Sequence, residues 1–180
     1  MQVISVNVGE PREIVWNGRT FQTGIFKEPV GGPVRVGHLN LAGDKQADLS
    51  VHGGTHKAVY VYPVEHYEFW RVELPDAAWQ WGIFGENLTV QGLLETSIAV
   101  GDCFGVGTAV MRVTQPRMPC YKLNARFRRD DMIKRFLKAG RSGFYCEVIT
   151  EGVVQANSSI AQISQAQNRV SIADIFLADS

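Results

Sequence analysis

Apolar residues along this chain fall in short runs separated by Gly, Pro and small polar residues. Within several runs the apolar positions alternate, which is the two-residue period of a half-buried strand. The pattern predicts strands over residues 2–7, 20–26, 34–39, 58–62, 87–90, 103–106, 109–114 and 144–150. Two segments switch to the helical period. Residues 63–74 place Tyr67, Trp70 and Leu74 on one face behind Pro63, which is tolerated in a first turn. Residues 130–139 open with two acids, suited to a helix N-terminus, and carry Met132, Phe136 and Ala139 as the apolar stripe. Many short strands with few helices indicate a mainly β fold, a barrel or sandwich. No repeat or linker interrupts residues 1–163, which read as one domain, and the tail 164–180 either docks as a short helix or frays.

Composition narrows the function classes. At 180 residues the chain can bury a core without disulfide staples. Its 18 basic and 18 acidic residues cancel, which argues against a general binder of nucleic acid or of anionic membranes. A local basic pocket remains compatible with that balance, because net charge is blind to clustering. Cys103, Cys120 and Cys146 form no Cys-x-x-Cys pair, so a disulfide framework or structural zinc site is not expected. With no leader-like start and no apolar run of membrane-spanning length, the expected compartment is cytoplasmic.

The most explicit chemistry lies in VTQPRMPCYKLNARFRR, from Val113 to Arg129. Pro116 and Pro119 fix the backbone around Cys120 and keep the segment out of a regular helix, so a rigid turn leaving a strand is expected. Arg117, Lys122 and Arg126 are close by in sequence, and positive charge favours the nucleophilic, metal-binding thiolate. The competing reading is a buried cysteine beside a solvated basic face. Cys146 shares an alternating face with Phe144 and Val148, and Cys103 has no basic neighbour; both read as packing residues.

A second segment runs from Gly43 to Tyr62 as GDKQADLSVHGGTHKAVYVY. Asp44, Asp48, His52 and His56 recur every four residues, but Gly53 and Gly54 oppose a continuous helix. A Gly-rich loop fits better: its backbone amides approach a ligand while His52, His56 and Lys57 offer donors or charge. A plain tight turn with His52 bonded in the core remains open. In FGENLTVQGLLE, Asn87 can bond a polar ligand and Glu86 can orient a base, or both can cap a turn. Lys27 and Arg35 flank a Gly-Gly-Pro turn and add candidate phosphate-facing charge, or plain surface.

Three motifs in order, GDKQADLSVHGG-x-x-KAVYVYP, FGENLTVQGLLE with the following GDCFGVG, and VTQPRMPCYKL with NARF, resemble the MOSC domain. This is the domain named for the C-terminal part of molybdenum cofactor sulfurases, and the likeness is to a stand-alone bacterial group linked to reduction of N-hydroxylated bases. The resemblance implies a compact β-barrel whose pocket holds the molybdenum cofactor, molybdopterin with its metal. It makes Cys120 the metal- or sulfur-handling thiol and offers Lys27, Arg35, His52, Lys57, Asn87, Arg117 and Arg126 as cofactor-binding candidates. It also carries a loose association with pyridoxal phosphate. Members of that group continue into a small three-helix domain, of which 164–180 would be a remnant.

The function so implied is a molybdenum-dependent reductase of N-hydroxylated small molecules such as hydroxylamino-purines. The chain has neither a G-x-G-x-x-G fingerprint nor a cluster-binding cysteine set, so a separate electron-donating reductase is required as partner. The alternatives are a non-catalytic carrier of the cofactor or its sulfur, and a cysteine hydrolase using Cys120 with His52 or His56 as base.

Overall fold

The computed structural model describes residues 1–45 and 54–180. Among them, β1 (Gln2–Val8), β2 (Arg12–Trp16), β3 (Arg19–Thr23), β4 (Glu28–Val30) and β5 (Val34–Val36) come first. A 3-10 turn at Thr55–Lys57 leads into β6 (Val59–Pro63), α1 (Glu65–Glu73), β7 (Leu88–Gln91), β8 (Cys103–Val106) and β9 (Ala109–Pro116). The chain then runs through α2 (Tyr121–Phe127), α3 (Met132–Ala139), β10 (Phe144–Thr150), β11 (Gly152–Val154), β12 (Ile160–Ser164) and α4 (Ile172–Asp179).

One eight-stranded sheet organises the molecule, in the order β12-β8-β9-β10-β6-β7-β1-β4. Its neighbours are antiparallel except β6 and β7, which are parallel. A parallel pair needs a crossover, and α1 lies within it. The pairing ends at β12 and β4, so the closed barrel expected from the sequence is not found among the described residues; the sheet is large and mixed. Between β1 and the start of β12 there is one isolated bridge, Gln2 to Ser159, flanked by backbone hydrogen bonds from the Val3 amide to the Ser158 carbonyl at 2.9 Å and from the Ile160 amide to the Met1 carbonyl at 3.0 Å.

Strand β6 explains why there are two cores. All five of its residues are buried, as a strand covered on both faces requires. Val59 and Val61 face an aliphatic core with Val3, Val6, Leu88, Val113, Phe144 and Cys146. Tyr60 and Tyr62 face an aromatic core with Tyr67, Trp70, Phe84, Leu123, Phe136 and Phe176. The helices supply most of that second layer, α1 through Tyr67 and Trp70, α3 through Met132 and Phe136, both stripes read from the sequence. The tail docks: Ser171 caps α4 by accepting from the Asp174 amide, and Phe176 meets Phe136 edge-on at 6.4 Å between ring centres.

Two local expectations need correction. The segment after Cys120 is helical at once, since α2 starts at Tyr121; Pro116 and Pro119 restrict only the four-residue entry. Of the β2–β3 hairpin only the second strand was expected, over 20–26, although the turn signal is present. Asn17 and Gly18 both take positive φ, 48° and 72°, between paired Trp16 and Arg19, as a two-residue turn with an Asn-Gly pair does.

Candidate functional site

A cleft of roughly 640 Å³, including its open mouth, lies where β6, β9, β10 and the start of α2 meet the segments around residues 23–27 and 84–87. Its wall includes Lys27, Asp44, Lys57, Tyr60, Asn87, Arg117, Cys120, Lys122 and Tyr145. Thus the charge that cancels over the whole chain does not cancel here. Five of the lining side chains are cationic, counting Lys45 at the mouth, and Asp44 is the acidic one.

Arg117 has the sharpest geometry. It leaves the end of β9, and its side chain is only 5% exposed. The guanidinium lies over the rings of Tyr60 and Phe136, 5.4 and 5.1 Å from their centres. Its Nη1 is buried and has no hydrogen-bond partner among the described residues. A buried donor without an acceptor is costly, so such groups mark places where a ligand completes the network. Burial works against the charge on Arg117, while Tyr60, Tyr145 and Cys120 favour it, and its pKa lies above the ordinary arginine value. Tyr145 lies beside Arg117, and burial raises its pKa, so it stays a neutral phenol whose oxygen can accept from the guanidinium.

Cys120 sits at the N-cap of α2 in extended conformation, its carbonyl accepting from the Leu123 amide at 2.9 Å. Its thiol is partly exposed on the cleft wall, among Lys57, Arg117 and Lys122. Cys146 differs in every respect. It is buried in the aliphatic core, and burial pushes its thiol well up. The neutral thiol is the form the fold favours, so its stabilisation is fully present below the ordinary value of 9.0 and fades only as pH rises through the raised one. Brief alkylation at about pH 8 is therefore expected to label Cys120 and to spare Cys146, which peptide mass mapping reads directly. Labelling of Cys146 before Cys120 would contradict the placement.

The remaining polar groups brace the wall. Lys27 is buried in a short ion pair with Asp44. Asp44 also accepts from the Gly9 amide at 2.9 Å and from Asn87 Nδ2 at 2.9 Å. Asn87 returns its oxygen to the Tyr60 amide at 3.0 Å. Lys27 and Asn87 thus line the cleft as predicted, but their polar atoms already hold Asp44 and β6 in place. Glu86, a candidate for orienting a base, is wholly buried and accepts from Tyr67, Gly82, Phe84 and Thr89. It shapes the loop whose Phe84, Gly85 and Asn87 form the cleft floor.

Of the other predicted residues, Lys57 and Arg117 reach the cleft. Lys57 also lies 6.0 Å from the Tyr145 ring centre. Arg35 is not brought there. On β5 it alternates outward between buried Val34 and Val36 and pairs with Glu151 at 2.9 Å. Arg126 packs over the Phe26 ring beside the cleft rather than in its lining. His52 and Asp48 lie outside the described residues. His56 is exposed, 3.6 Å from Glu147, and does not line the cleft, so of the two alternative bases offered for a cysteine hydrolase it is not placed beside Cys120. Among the described residues no group of three or more His, Cys, Asp or Glu is placed to hold a metal, and no helix is long and apolar enough to cross a membrane. Tyr60 and Tyr145 were missed. Their signal was available: in β6 and β10 they occupy the face opposite the aliphatic core, where an aromatic residue needs a second covered surface.

The chain is 41% identical over 170 residues to the uncharacterized protein YflK of Bacillus subtilis (strain 168), covering 94% of this chain and 76% of YflK. It is 32% identical over 161 residues to a protein named reductase from Gibberella moniliformis (strain M3125 / FGSC 7600), covering 88% of this chain but 28% of that much longer protein. The crystal structure of YiiM from Geobacillus stearothermophilus superposes with a TM-score of 0.80 at 34% identity, over 97% of this chain and 81% of the other. The MOSC domain model matches residues 48–161, a span that contains Lys57, Asn87, Arg117, Cys120 and Tyr145, and the chain belongs to the MOSC domain family.

Proposed function

We propose that this protein is a molybdenum-cofactor-dependent reductase of N-hydroxylated compounds, such as hydroxylamino-purines, with Cys120 as the protein's thiolate ligand to the metal. The observation that carries the reading is the buried Arg117, its Nη1 without a partner among the described residues, on the same cleft wall as Cys120. A thiolate is a soft ligand suited to a sulfur-ligated metal. The unmatched arginine with Lys57 and Lys122 suits an anionic group, for which guanidinium and ammonium donors are the common partners. On donor type the wall therefore fits the cofactor. When bound, that cofactor supplies a metal able to take oxygen from an N–OH group while two electrons and two protons convert it to N–H and water.

The chain's own residues bind and orient. Cys120 holds the metal side, and α2 and β9 fix its position from two directions. Arg117 and the cleft lysines neutralise the anionic part of the ligand. Tyr145, a neutral phenol on the cleft wall, offers its hydroxyl to an oxygen of the ligand. Lys27, Asp44 and Asn87 keep the floor rigid, which preserves the spacing of these groups. Electrons come from a separate reductase. The Gibberella relative, named a reductase, supports this reading.

The test uses protein made in a host that synthesises the cofactor. Molybdenum is expected at about one per chain by elemental analysis, with N-hydroxylated purine consumed when a reductase is supplied, and both lost in Cys120→Ser. Molybdenum retained without turnover would instead assign a carrier role. Unchanged turnover in Cys120→Ser would overturn the assignment.

A further inference from the structure

A cluster of titratable side chains sits apart from the cleft lining. His66 on α1 and Glu95 after β7 are both buried. The His66 Nε2 lies 2.7 Å from Glu95 Oε2, and its Nδ1 lies 3.0 Å from Arg141 Nη1. A guanidinium only donates, so Nδ1 is the acceptor; the ring is then neutral, with its proton on Nε2 and donated to Glu95. In that state every bond in the cluster is made, and the opposite charges of Glu95 and Arg141 cancel. The other groups around the ring leave this balance intact. Tyr62 on β6 meets His66 edge-on at 5.5 Å between ring centres, and burial raises its pKa, so it stays neutral. Glu65, next to His66 on α1, holds the Gly92 amide at 2.7 Å. Helix α4 leans on the Glu95 carbonyl through the Ala173 amide at 3.1 Å and keeps Asp174 on its own cap, Ser171.

The cluster grips the strap from Arg141 to Gly143, between α3 and β10. The second Glu95 oxygen accepts from the Gly143 amide at 2.6 Å. Gly143 has a φ of 62°, and a Cβ there would stand 2.5 Å from the Val61 carbonyl oxygen, so the strap is pressed onto β6. From that position its carbonyls hold the cleft wall. Gly143 accepts from the Arg117 amide at 3.4 Å, Ser142 from the Tyr60 hydroxyl at 2.8 Å, and Arg141 from the Tyr62 hydroxyl at 3.1 Å. A proton added to Nδ1 turns that acceptor into a donor and sets like charges 3.0 Å apart. Little else keeps the guanidinium there: its Nε is buried without a partner among the described residues, and it rests on the Phe69 ring, 4.3 Å from the centre. We infer that His66 is a pH-sensitive latch, closed while its ring is neutral and released by protonation, which sets Arg117 and Tyr60 in the cleft wall through the strap 141–143. The bearing of the latch on turnover rests on the proposed function; its opening and closing do not. The sign is distinctive. A histidine acting only through its field strengthens anion binding as it gains a proton, whereas release of the strap weakens it.

Nitrogen and amide NMR of the purified protein, from about pH 8 down to about pH 5, spans the range in which histidine changes charge. At the alkaline end the His66 ring is expected to be neutral, with its proton on Nε2. On acidification the Gly143 amide signal is expected to shift together with the protonation of His66. In His66→Gln it stays in place, because the glutamine amide accepts from Arg141, donates to Glu95 and does not titrate. Sulfate, whose charge is constant over this range, then reads the cleft. Its affinity is expected to fall about tenfold in acid for the wild type, the scale of one hydrogen bond to a charged group, and to hold within about twofold in His66→Gln. Arg141→Leu removes the opposing donor and is expected to abolish the acid loss too, which keeps the test decisive if His66→Gln folds poorly. The inference is overturned by a wild-type Gly143 signal that ignores pH, by sulfate binding that is unchanged or stronger in acid, or by an acid loss that survives both variants. Molybdenum retention and turnover, measured separately at one pH, report on Cys120, so failure of the latch and failure of the proposed function are told apart.

Discussion

Arg117→Met is expected to melt no lower than the wild type when ligand-free, and to lose about a hundredfold in affinity for phosphate in the cleft. The two effects have opposite signs for one reason. Arg117 is 95% buried and its Nη1 has no partner among the described residues, so the free protein carries an incompletely paired charge in its interior. Replacing such a charge with an apolar side chain of similar length is often neutral or stabilising. Methionine keeps the packing on Tyr60 and Phe136, and its flexible stem fills an irregular gap. What it forfeits is the contact to Tyr145 and the charge-assisted bonds to the ligand. Loss of one buried charged donor costs about 2–5 kcal/mol, and about 2.7 kcal/mol corresponds to the hundredfold. Calorimetry of the free protein and phosphate titration of both forms check the pair of signs. A large drop in melting temperature with affinity retained would show Arg117 to be a structural residue.

The same physics separates what the sequence made legible from what it did not. Periodicity found the helices carrying Tyr67, Trp70, Met132 and Phe136, because their stripes face one core and repeat over two or three turns. It also found most central strands, including β6, β8 and β10. Strands β2, β4, β11 and β12 were missed; β4 and β11 are three residues long and show no buried alternation, and β12 is exposed at four of its five residues, so no alternation marks it. Cys120 was legible as chemistry because a thiol between prolines and cations is a local arrangement. Arg35 was ranked with the site on charge alone; its outward position follows from the alternation of Val34, Arg35 and Val36, which charge type does not encode. Lys27 and Asn87 reached the cleft, but the sequence was silent on Asp44, 17 residues from Lys27 and 43 from Asn87, being their shared partner. Contacts at that separation are made by the fold and leave no short-range trace.

Glu86→Ala is expected to be the most damaging single substitution outside the cleft's reactive groups. Glu86 is wholly buried, and burial raises its pKa against four donors that draw its carboxyl the other way. Those donors are the Tyr67 hydroxyl, the Gly82 amide at 3.0 Å, the Phe84 amide at 3.1 Å and the Thr89 hydroxyl at 2.9 Å. Alanine leaves each unanswered and opens a cavity beneath Phe84, whose ring stacks on Tyr62 at 4.4 Å between centres. A buried unsatisfied group costs about 1–3 kcal/mol, and relaxation lets some of the four find water, so a total near 4 kcal/mol is expected. For a chain of this size that corresponds to a fall in melting temperature of about 8–16 °C. Glu86→Gln retains one acceptor oxygen and is expected to lose roughly half as much. Because Phe84, Gly85 and Asn87 line the cleft, the alanine variant should also bind phosphate more weakly even where it remains folded, whereas a loss below about 1 kcal/mol would mean that the donors are satisfied without Glu86.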